Sequence, residues 1–203
     1  VFYGNGLTAI IAGLLANTLV RTLEYGPIAP FDAACVFLVI GGCLISVLWP
    51  ENYGAKHTDR SLTSQFSCAL STIAKKPPVL LLGCMQALFE GAMYTFVFLW
   101  TPAMSKGGVE VSHGVVFAIF MICCMVGSAI AGQMMSASVM PEWYMQLVFA
   151  AASVCMGITA FVYDYSHTPL LGMDAHAASN TCFALFCIFE AIVGIFWPSM
   201  MKM

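Results

Sequence analysis

Apolar residues in this chain come in long blocks with polar and turn-forming residues between them. Windows of about 20 mostly apolar residues predict six membrane-crossing helices, near 2–20, 31–49, 79–102, 113–135, 143–163 and 179–200. The breaks are rich in Gly, Pro and polar residues, as turns require: EYGPIAPFD (24–32), SKGGVEVSHG (105–114), SVMPEW (138–143) and DYSHTPLLGMDAH (164–176). Between the second and third blocks the pattern changes. In DRSLTSQFSCALSTIAKK, Leu62, Phe66, Ala69, Leu70 and Ile73 recur at helical spacing among Ser, Thr and Gln. This predicts an amphipathic helix, lying on the membrane surface or docked on the protein.

Composition agrees with a polytopic all-α membrane protein: 61% of residues are hydrophobic and 8% charged, with a mean hydropathy of +0.89, outside the range of water-soluble domains. Its partner is a lipid bilayer. The net charge of -3 contains no basic block, which excludes nucleic acid as an expected partner. The nine cysteines fall mostly inside apolar blocks and form no CxxC or Cys/His ligand spacing, so they read as packing thiols, with no metal and no cofactor expected. Val1 is preceded by no initiator Met or basic leader, and the last block stops close to Met203, so the chain reads as a fragment of a longer protein.

Trp49, Tyr53, Trp100, Trp143, Tyr144, Tyr163 and Trp197 stand near span ends, where amphipathic rings favour the headgroup layer. If 50–78 is cytoplasmic, that side holds Lys56, Arg60, Lys75, Lys76 and Lys202, against Arg21 and Lys106 outside. The positive-inside rule then places both chain ends in the cytoplasm. Small residues punctuate the spans (Gly4, Gly6, Gly13, Ala16, Gly41, Gly42, Gly127, Ala131, Gly132 and Ala150 to Ser153) and predict close helix packing.

Two acids interrupt this pattern. Glu90 lies in the middle of the third block and Glu190 in the sixth. A carboxylate at the bilayer centre costs about 3 kcal/mol on the insertion scale, so a helix keeps one only against partners or a wet cavity. Gln86, four residues before Glu90, shares its helical face. LFE at 88–90 precedes Trp100-Thr101-Pro102, and IFE at 188–190 precedes Trp197-Pro198. The third and sixth spans run in opposite directions, as in inverted repeats of three plus three helices, where related helices face a common midplane site. Glu90, Glu190 and Gln86 are thus candidates for a substrate or proton pathway; the same acids could instead knit helices together. Asn5 and Asn17 in the first span are lesser candidates, for a pathway or for packing. His57, His113, His167 and His176 fall in loops or at span edges. No nucleophile–base pair or phosphate-binding loop is present, which argues against an enzyme.

VLLLGCMQALFEGAMYTFVFLWTPAM (79–104), GPIAPF (26–31), WPENYG (49–54) and FWPSMM (196–201) resemble the molybdate-anion transporter family of the major facilitator superfamily, also called major facilitator superfamily domain-containing protein 5. The resemblance implies a twelve-helix transporter of two six-helix halves working by alternating access. On that plan the six spans correspond to helices 5 to 10: 1–49 gives the last two helices of the N-terminal half, 50–78 the cytoplasmic inter-half loop, and 79–203 the first four helices of the C-terminal half. Both acids would line the cavity, and the location would be the plasma membrane. The implied substrate is molybdate or a similar oxyanion, with possible proton coupling. Such a dianion wants cationic or N–H partners, and no Lys or Arg lies mid-span. Two alternatives stay open: a proton-linked carrier of a neutral or cationic solute, and a non-transporting membrane scaffold.

Overall fold

The computed structural model describes residues 2–51, 61–165 and 172–203. Tyr53, Lys56, His57, Arg60 and His167, together with parts of the 50–78 and 164–176 connections, lie outside the described residues. Among the described residues the structure is all helix: α1 (Phe2–Asn17) continuing into a π-helical turn (Thr18–Thr22), α2 (Ala29–Leu48), α3 (Leu62–Lys75), α4 (Pro77–Met104), α5 (His113–Ser136), α6 (Pro141–Tyr165) and α7 (Ala175–Lys202), with a 3₁₀ turn at Lys106–Gly108. Six of these are long and apolar enough to cross a bilayer, and all six coincide with the predicted blocks.

Local chemistry explains the helix ends. α4 and α6 start on Pro77 and Pro141, where the missing N–H costs nothing and φ is already helical. Asp174 caps α7 by accepting a 2.7 Å bond from the Ala177 amide, and so brings the polar AHAASN turn into a helix that hydropathy alone begins at 179. Ser61 caps α3 through a 3.2 Å bond from the Ser64 amide. The amphipathic helix expected between the second and third spans is therefore present. Gly26, at φ +86°, turns the chain between the π-helical end of the first span and α2, in a region that glycine enters without penalty.

The chain divides into two compact units, residues 30–91 and residues 1–29 with 92–203. In the first, α2 buries none of its residues, and Val36, Phe37, Leu38 and Val39 are all more than half exposed. In a membrane protein such apolar faces are lipid- or helix-facing surface.

The larger unit contains the packed core. α5 lies against α1 and α7, and α6 lies against α7. Phe96, on the second half of α4, meets Phe120 of α5 at 5.7 Å and Phe186 and Phe189 of α7 at 5.0 and 5.2 Å between ring centroids. These edge-on and tilted contacts are the favoured aromatic geometries. Phe120 pairs with Phe183 and Phe186, and further along Gly127 meets Ala191 and Gly194. α5 and α7 thus run in the same direction, as two spans separated by one crossing must.

Two backbone crossings hold this unit together. A Cβ at Gly127 would fall on the Ala191 carbonyl, and one at Gly194 on the Cys124 carbonyl, so α5 and α7 touch backbone to backbone. A Cβ at Gly13 of α1 would lie 2.8 Å from the Gly114 carbonyl oxygen of α5. Only glycine permits such approach, and lipid supplies no hydrophobic drive that could replace it. The other small residues divide. A Cβ at Gly6 would strike the Met125 side chain, whereas Gly4, Gly41, Gly42 and Gly132 have no atom within 4 Å of that position. Close packing was expected at these four too, and none of them shows it among the described residues.

Candidate functional site

Glu190 sits near the middle of α7 and is only 5% exposed. It is carried inward because α7 is the central helix of the larger unit, with α5 on one side and α6 on another. Phe189 beside it is 1% exposed, and Ala191 bears on Gly127. Among the described residues the Glu190 carboxylate has no hydrogen-bond or ion-pair partner. The thiols of Cys124 and Cys187 lie within reach of its charge. A buried, unpaired acid in an apolar helix is costly, and such residues mark ion or substrate pathways.

Glu90 belongs to the smaller unit, at the middle of α4, and is half-buried. Gln86 donates from Nε2 to Glu90 Oε1 at 2.8 Å, the i, i+4 pairing read from the sequence. Glu90 therefore has an amide partner on its own helix, whereas Glu190 has none among the described residues. Asn5 is exposed on α1, and Asn17 is half-buried with its Cβ against Gly114, a packing position.

The polar groups that sequence reasoning missed lie along α7. Tyr144 of α6 and Ser199 form a buried 2.6 Å hydrogen bond, and the Ser199 hydroxyl donates to the Ile195 carbonyl at 2.6 Å, so Tyr144 is the donor to Ser199. Ser128 of α5 donates to the Gly194 carbonyl at 3.0 Å, Cys155 of α6 to the Leu185 carbonyl at 2.9 Å, and Ser179 to the Met104 carbonyl at 2.8 Å. Hydroxyls and thiols that bond across helices in this way fix the register of a bundle.

The described cations stay at helix ends. Arg21, on the π-helical turn, donates to the Val111 carbonyl at 2.9 Å, an end position as its place in the sequence suggested. Lys106 lies over the Tyr163 ring, 3.8 Å from its centroid, and also donates to the Tyr163 carbonyl. His113 opens α5, 3.4 Å from Ser105 Oγ and in tilted contact with Trp100. An apolar cavity of about 220 Å³ opens between α6, α7 and the second half of α4, lined by Phe96, Trp100, Met156, Thr159, Tyr163 and Phe186 among others; Glu190 does not line it.

Six helices among the described residues that are long and apolar enough to cross a bilayer define an integral, multi-pass membrane protein. Residues 1–186 match the model of a family described as sugar transporters with twelve transmembrane spans, and the chain belongs to this family of the major facilitator superfamily. It is 31% identical to the molybdate-anion transporter of Xenopus laevis over 198 residues, covering 97% of this chain and 41% of the relative. The Xenopus tropicalis protein of the same name is 30% identical with the same coverage. That of Takifugu rubripes is 29% identical over 219 residues, covering 98% of this chain and 44% of the relative. The chain thus spans less than half the length of these relatives. The resemblance carried by QALFE…FVFLWTP is borne out. No solved structure matches the chain.

Proposed function

We propose that the protein carrying this chain is a secondary transporter that moves molybdate or a similar oxyanion by alternating access, with Glu190 in the pathway. The observation that carries this reading is the buried carboxylate of Glu190 at mid-span, which has no partner among the described residues. A path for protons or a polar solute accounts for it. The names of the relatives support the oxyanion. Glu90 with its Gln86 partner is the second candidate pathway group. Residues 1–49 are the end of one half of the transporter, 50–78 the cytoplasmic connection and 79–203 the start of the other half, in the plasma membrane with both chain ends inside. The six spans are then helices 5 to 10 of twelve.

A second reading, proton-linked carriage of a neutral solute, draws on two observations. The family is described as sugar transporters, and every described Lys and Arg stands at or beyond a helix end rather than at mid-span. A dianion would then need cations from elsewhere in the protein.

Uptake by cells expressing the full-length protein separates the two readings. Molybdate accumulation above background, unaffected by excess hexose and lost in Glu190→Gln at equal surface expression, supports the oxyanion. Hexose uptake that rises with an inward proton gradient, with no molybdate uptake, replaces the first reading by the second. Uptake of neither solute sinks both.

A further inference from the structure

Pro198 lies inside α7, four residues after Gly194. Proline has no backbone N–H, so the Gly194 carbonyl loses the helical donor that residue 198 would supply. In a water-free bundle an unsatisfied carbonyl is expensive. The structure provides a substitute from another helix: Ser128 of α5 donates its hydroxyl to that same Gly194 carbonyl at 3.0 Å. The approach is possible because Gly194 has no side chain and its Cα packs on the backbone of Cys124. Just beyond the proline, Ser199 is fully buried and takes the Tyr144 hydroxyl of α6 at 2.6 Å. The end of α7 is thus held to α5 on one side of Pro198 and to α6 on the other.

We propose that Ser128 is the stand-in for the amide that Pro198 lacks, and that this borrowed bond latches a hinge in α7 between Gly194 and Ser199, one turn beyond Glu190. Ser128 is then a positioning residue. It keeps the helix that bears the buried acid in register with α5. When the bond opens, the last turn of α7 loses its hold on α5, while Tyr144 still ties it to α6. This inference rests on helix packing, independently of what the protein transports.

The test is a double-mutant cycle read by amide hydrogen exchange of residues 199–202 in the full-length protein in lipid nanodiscs. Interhelical hydrogen bonds in membranes average about 0.6 kcal/mol and reach about 1.7, so Ser128→Ala is expected to speed exchange in this segment about 3- to 18-fold. Ser128→Thr keeps a hydroxyl and is expected to restore protection. In a Pro198→Ala background the new amide serves Gly194 directly, so Ser128→Ala should then change exchange less than about 2-fold. If Ser128→Ala has no effect beside Pro198, or has the same effect with and without it, the hydroxyl only fills space and the proposal fails. Should Ser128→Ala not fold, the Ser128→Ala/Pro198→Ala double variant is expected to fold; failure of that variant as well would also overturn the proposal.

Discussion

Replacing Gly127 by alanine puts one methyl group into the tightest part of the α5–α7 contact. The new Cβ would fall on the Ala191 carbonyl oxygen, 2.8 Å from the Ala191 carbonyl carbon and 3.1 Å from the Gly194 Cα. Carbon atoms rest about 3.5–4.0 Å apart, so the helices must part by roughly 0.7 Å at least. Every obstructing atom is backbone and cannot rotate away. Overpacking of this kind costs about 1–3 kcal/mol. Parting also stretches the 3.0 Å bond from Ser128 to Gly194, at about 0.6 kcal/mol more. Alanine's better helix propensity returns about 0.5–1 kcal/mol, which leaves a net loss of about 1–3 kcal/mol. Gly132→Ala on the same helix is the control, because its Cβ meets nothing within 4 Å and only the propensity gain remains. Unfolding of the full-length protein in mixed micelles, titrated with a denaturing detergent, compares the two. Equal stability of Gly127→Ala and Gly132→Ala would refute the crossing as described.

Gly194→Ala added to Gly127→Ala should cost clearly less than it does alone, because the first methyl has already separated the helices; the same titration reads the non-additivity. Tyr144→Phe removes the buried donor to Ser199 and is expected to lower stability by about 1 kcal/mol, visible as a lower melting temperature in the purified protein. Gln86→Leu removes the amide that serves Glu90 and should slow uptake more than it lowers stability; a stability loss with normal uptake would make the pair structural.

The spans were legible because a bilayer demands about twenty apolar residues in a row, and turn residues punctuate the gaps. The Gln86–Glu90 pair was legible for a related reason, since residues four apart share a helix face. What escaped depends on which helix meets which. Gly41 and Gly42 look as promising in the sequence as Gly127, yet a Cβ at either would meet nothing, whereas one at Gly127 would strike the α7 backbone. Likewise Pro198 announces a freed carbonyl at Gly194, but only the α5–α7 register identifies Ser128 as its donor. The early start of α7 escaped hydropathy because its first turn is polar and is held by the Asp174 cap.

The role of Glu190 is tested most directly in proteoliposomes holding equal amounts of folded wild-type or Glu190→Gln full-length protein, by measuring molybdenum accumulation under an inward proton gradient. Removing a buried carboxylate that no described residue pairs relieves a desolvation cost, so the variant should be at least as stable as the wild type while its uptake falls at least 10-fold. Wild-type uptake by Glu190→Gln would contradict a pathway role and leave the acid as an unexplained cost of the fold.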